Sequence, residues 1–108
     1  MEEKIERVKM APGKYSLQRE SDGVGDSGPS LVSLCLGKEE EDGKDKIDYI
    51  RNEIVVGGLV ECGAIGGRSY AAQDYWRTSV VTEILSVNED RSEVRFKTRN
   101  SIYTCKAF

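Results

Sequence analysis

The chain has 108 residues, 38% hydrophobic and 32% charged, with a formal charge of -3 and a pI near 5.1. A chain of this length holds one domain that buries about 60 to 70% of its unfolded surface, so an economical core interrupted by mobile loops is expected. The acidic balance argues against nucleic acid, whose phosphates need a basic surface; no apolar run nears the ~18 residues that cross a bilayer and Met1-Glu2-Glu3-Lys4 has no leader-peptide character, so no membrane contact and a cytoplasmic location are expected.

In chain order, Glu2 to Lys9 reads equally as a short helix or an edge strand. Lys14 to Arg19 and Leu31 to Leu36 read as strands, and the glycine, serine and aspartate of residues 20–30 mark a mobile loop between them. A second mobile loop is expected over 37–46, where the run Glu39, Glu40, Glu41 and Asp42, with Asp45, is interrupted by Lys38, Lys44 and Lys46. Ile47 to Arg51 reads as a helical turn or a strand. Ile54-Val55-Val56 and Leu59-Val60-Glu61-Cys62 flank Gly57-Gly58, which implies two short strands or one strongly bent strand. Gly63 to Arg77 reads as a loop, with a helical turn at Ala71 to Tyr75.

The clearest pattern is C-terminal. Ser79 to Val87 is rich in β-branched residues, with Val81, Leu85 and Val87 opposed to Val80, Thr82 and Ile84, and reads as a central strand buried on much of both faces. Asn88-Glu89-Asp90-Arg91-Ser92 is a polar turn. Val94, Phe96 and Thr98 then alternate with Glu93, Arg95 and Lys97. After a reversal at Arg99-Asn100-Ser101, Ile102, Thr104 and Lys106 alternate with Tyr103, Cys105 and Ala107. Residues 79–107 therefore form a three-stranded antiparallel meander. The whole reads as a single mainly β domain, a small barrel or sandwich; the barrel is preferred because closure removes exposed edges.

The chain contains no histidine, the usual general base and commonest metal ligand. Cys35, Cys62 and Cys105 lack the spacing of metal or redox motifs and read as buried apolar residues. No catalytic residue, metal or cofactor is indicated, and a non-enzymatic binding role is expected.

Four features are candidates for contact. Gly66-Gly67-Arg68-Ser69 offers amides, a guanidinium and a hydroxyl to an anion, but it also reads as a flexible loop. Tyr70, Tyr75, Trp76 and Arg77 would stack on a base or anchor a protein, although Trp76 also suits the core. Arg95, Lys97 and Arg99, with Arg91 and Lys106 nearby, form a basic stripe that would steer an anion or simply face water. The acidic run Glu39, Glu40, Glu41 and Asp42 is a solvated loop or an imitation of phosphates towards a basic partner.

The run Trp76-Arg77-Thr78-Ser79-Val80-Val81-Thr82-Glu83-Ile84, with Val94-Arg95-Phe96-Lys97-Thr98-Arg99-Asn100-Ser101-Ile102-Tyr103, resembles the C-terminal region of small accessory proteins carried by phages and prophages. The resemblance covers about the last third of the chain. It implies inhibition of host defence without catalysis, either by occluding a defence protein or by sequestering a phosphorylated nucleotide signal. It also places Thr78, Ser79, Asn100, Ser101 and Tyr103 near the ends of the meander, where strand-end hydrogen bonding explains them equally well. The expected partner is a host protein or a small phosphorylated ligand held by Arg68, Arg95, Arg99 and aromatic side chains. A homodimer joined through exposed strand edges is also expected.

Overall fold

A computed structural model describes residues 5–38, 43–63 and 75–108. Its strands in chain order are β1 (Arg7–Lys9), β2 (Tyr15–Arg19), β3 (Gly25–Gly28), β4 (Ser30–Lys38), β5 (Asp45–Arg51), β6 (Glu53–Val55), β7 (Leu59–Gly63), β8 (Tyr75–Arg77), β9 (Val81–Val87), β10 (Glu93–Thr98) and β11 (Ile102–Ala107). The protein is mainly β. No helix among the described residues is long and apolar enough to cross a membrane.

Among the described residues three antiparallel sheets form: a five-stranded sheet of order β3-β2-β11-β10-β9, a four-stranded sheet of order β5-β4-β7-β8, and the pair β1-β6. The expected meander is present as β9, β10 and β11. Its inner face is set by alternation, since Val94, Phe96 and Thr98 are fully buried while Glu93, Arg95 and Lys97 are exposed. Tyr103 and Cys105 continue that face on β11, and Tyr15 and Leu17 continue it on β2. From the opposing sheet Leu31, Val60 and Cys62 complete the core, with Val8 and Ile54 contributed by the β1-β6 pair. The arrangement is sandwich-like. Among the described residues no ladder closes it into the preferred barrel; β3, β9, β5 and β8 remain sheet edges.

The polar turn at 88–92 forms as its residues dictate. Asn88 Oδ1 accepts from the Glu93 amide at 2.9 Å, Asp90 Oδ1 accepts from the Ser92 amide and hydroxyl, and Arg91 adopts φ 60°. The next reversal is organised from inside the sheet by Thr98. Its Oγ1 accepts from the amides of Asn100 and Ser101 and donates to the Ser101 carbonyl.

Several expectations are corrected. Residues 79–87 do not make a central strand buried on much of both faces: β9 starts at Val81, lies at the sheet edge, and buries Val81 and Ile84. These two residues sit on opposite faces of a regular strand, and the register shift between Lys97 and Thr98 brings both inward, while a second shift between Arg95 and Phe96 sets Ile84 on the same face as Val87. Residues 20–30 are not all loop, because Gly25–Gly28 pairs with Tyr15–Gln18. Small residues permit this strand: a Cβ at Gly28 would lie 2.6 Å from the Gly63 backbone, and one at Gly25 would overlap the Leu17 carbonyl oxygen. The 37–46 loop is shorter than expected, since β4 runs to Lys38 and β5 starts at Asp45, paired with it.

The open choices resolve as strands at Arg7–Lys9 and Asp45–Arg51. Around Gly57-Gly58 the chain makes two strands in different sheets, with Gly57 at φ 94° and its amide donating to Val81 O. Residues 71–74 lie outside the described residues, and Tyr75 begins a strand.

Candidate interaction surface

The aromatic segment divides across β8 because strand neighbours point to opposite faces. Trp76 opposes Cys62 in register and turns inward, where it is half-buried against the core. Its Nε1 donates to Tyr103 Oη at 3.2 Å, and the Arg19 guanidinium sits 5.3 Å from its ring centroid. Tyr103 in turn stacks on Phe96 at 5.7 Å. Trp76, Tyr103 and Arg19 therefore close one end of the space between the two large sheets. Arg19 is anchored by Asp22 at 2.6 Å, and this bond holds the Asp22 carboxyl below its ordinary range.

Arg77 faces the other way. Its Nε and Nη2 donate to Glu61 Oε2 at 3.2 and 3.1 Å, and Glu61 is only 4% exposed. The guanidinium also lies over the Tyr75 ring. This arginine is committed to holding a carboxylate on the outer face of the four-stranded sheet.

The basic stripe lies, as alternation requires, on the outer face of the five-stranded sheet, but register places acids against it. Arg95 pairs with Glu20 at 2.5 Å, Lys106 with Glu93 at 3.5 Å, and Lys97 opposes Glu83 across the ladder. The Arg95 hydrogen bond lowers the Glu20 carboxyl below its ordinary range. The stripe is thus largely neutralised and loses its value for steering anions. Arg99 and Asn100 are exposed at the β10–β11 reversal, where the Arg99 amide donates to Val80 O. Thr78, of the same resembling motif, is buried, with Oγ1 accepting from the Val60 amide and donating to Ser79 O. Arg68 and Tyr70, with Gly66, Gly67 and Ser69, lie outside the described residues, as do Glu39, Glu40, Glu41 and Asp42.

The structure therefore joins Trp76 to Tyr103 and separates both from Arg77, Arg95 and Arg99. Among the described residues, surface depressions of about 290, 230 and 280 Å³ are partly open to solvent and lie below the roughly 300 Å³ where small-molecule sites begin. The first is lined by Glu93 as well as the paired Arg95. Among the described residues no three side chains of metal-binding type converge. Cys62 and Cys105 are buried, and burial pushes the Cys62 thiol up to about 12, which suits packing rather than nucleophilic attack.

A surface missed by the sequence reading lies on β4 and β5. β7 pairs with β4 only as far as Leu34, so from Cys35 onward β4 and β5 form a two-stranded ribbon. One face of the β4-β5 pair carries Leu36 and Ile47 on that ribbon and Tyr49 just at its base, which are 83%, 49% and 66% exposed. Leu36 opposes Ile47, and Leu34 opposes Tyr49, so these side chains are cross-strand neighbours. The available signal was the alternation Ile47, Tyr49, Arg51, legible only once the segment is known to be a strand. No protein-family model matches the chain, and comparison with curated proteins and with solved structures finds no significant match.

Proposed function

We propose that this protein is a non-enzymatic interaction module of the phage-accessory type, acting in the cytoplasm by covering a host defence protein. The observation that carries the reading is the exposed apolar face of the β4-β5 pair, where Leu36 and Ile47 stand beyond the end of β7 and Tyr49 adjoins them opposite Leu34. A contiguous apolar face kept out of the core is the usual mark of a protein contact. A large, amphipathic tyrosine is a favoured anchor in such contacts. The alternative, sequestration of a phosphorylated nucleotide, is supported less well, because Arg77 and Arg95 already hold carboxylates. The test compares phage plating on a defence-carrying host that expresses either the parent protein or Leu36→Asp with Tyr49→Ser. The parent raises plating and binds the defence protein in a pull-down, whereas the folded double variant does neither. Equal protection by the two proteins would remove the ribbon from the mechanism.

A further inference from the structure

β5 is an edge strand whose described side chains are all at least partly exposed and whose register with β4 runs over seven residues without a shift. Its backbone orientation follows from one hydrogen bond. The Asn52 amide donates to Leu31 O at 2.8 Å in continuation of the β4-β5 register. Antiparallel pairing alternates, so even-numbered residues aim their backbone groups at β4, and Ile47, Tyr49 and Arg51 aim theirs away. Among the described residues nothing pairs with those outward groups. The other edges are protected: β9 is twisted by two register shifts and bonded at Val81 to Gly57 and Gly58, while β3 and β8 have four and three residues.

We propose that β5 pairs antiparallel with β5 of a second copy of this chain, about a two-fold axis at Ile47, making one continuous sheet from the two four-stranded sheets. Charge complementarity selects this register. It sets each Lys46 directly opposite Asp48 of the other copy, in the non-hydrogen-bonded pairs where side chains come closest. Lys46 Nζ is already 3.7 Å from Asp48 Oδ1 within one strand, so the four charges alternate in sign around the axis. Sliding the pairing by one step to centre on Asp48 would oppose two like carboxylates. On the other face Ile47 meets its own copy, and each is flanked by Leu36, its cross-strand neighbour on β4. The two exposed apolar faces become one strip. An interface built from one edge and this strip falls at the small end of the range, roughly 1,000 Å², so association depends on concentration. The pairing goes beyond partner binding and does not depend on it, because it uses the strand edge.

Sedimentation equilibrium of the full chain, from about 1 to 500 μM, tests the proposal. The parent protein shows a monomer–dimer equilibrium. Lys46→Glu and Asp48→Lys each weaken it about tenfold, and combining them restores it. Ile47→Pro leaves thermal unfolding of the monomer unchanged, since the lost amide faces outward, and abolishes the dimer. A parent protein monomeric throughout the range overturns the proposal. So does a dimer unmoved by Ile47→Pro, or a double charge variant no tighter than the single ones. A failed pull-down of a defence protein bears on the proposed function and leaves these outcomes unaffected.

Discussion

Replacing Arg77 by Met removes the guanidinium from Glu61 while keeping an apolar stem over the sheet. Breaking a fully buried ion pair costs about 3 to 5 kcal/mol, because one charge is left without compensation; an exposed pair costs about 0 to 1 kcal/mol. The pair here lies between these limits, since the Glu61 side chain is 6% exposed and that of Arg77 is 50% exposed. Two hydrogen bonds run from Arg77 to the same carboxylate oxygen. A cost of about 2 kcal/mol follows, or a fall of roughly 10 °C in the melting temperature of a domain this size. Adding Glu61→Leu removes the stranded carboxylate and returns stability to within about 1 kcal/mol of the parent. Urea unfolding of the parent, both single variants and the double variant measures these terms and their coupling. An Arg77→Met variant within about 0.5 kcal/mol of the parent, or a double variant less stable than Arg77→Met, would refute the reasoning.

The thiols and the pH profile supply two further predictions. Burial pushes the Cys62 thiol up to about 12 and the Cys105 thiol well above its ordinary value, while Cys35 is partly exposed and raised less. At pH 8 an alkylating reagent should therefore modify one thiol per native chain, at Cys35, and all three only in denaturant; intact-mass measurement decides this, and equal native rates would contradict the packing. Hydrogen bonds from Arg95, Arg19 and Ser92 hold the carboxyls of Glu20, Asp22 and Asp90 below their ordinary values. Stability from these groups is complete above their unfolded values near 4 and is lost as pH falls through the lower folded ones. Tyr15, Cys62 and Cys105 are raised mainly by burial, so their contribution is complete below unfolded values of about 8.5 to 10 and is lost as pH rises. The urea midpoint should be level from about pH 5 to 8 and fall on both sides, and Arg19→Ala should soften the acid limb.

Much of the C-terminal meander was legible in the sequence because local chemistry determines it. Val94, Phe96 and Thr98 carry a period of two that no other packing satisfies, and Asn88 and Asp90 bond the backbone of their own turn. β3 was hidden because Gly25-Asp26-Ser27-Gly28 has the composition of a loop; what makes it a strand is its pairing with Tyr15–Gln18, in which the close backbones of Leu17 and Gly63 leave no room for a Cβ at Gly25 or Gly28. The face assignment of residues 79–87 failed for a similar reason, since a bulge is a relation between two strands. The candidate site was the least legible part. The sequence by itself determined which residues carry charge and aromatic surface. The tertiary structure decided that Glu20 neutralises Arg95 from across the sheet, that Glu61 holds Arg77, that Trp76 turns inward to Tyr103, and that Leu36, Ile47 and Tyr49 stay outside. Register between strands far apart in the chain sets these pairings, and alternation along any one strand leaves that register open.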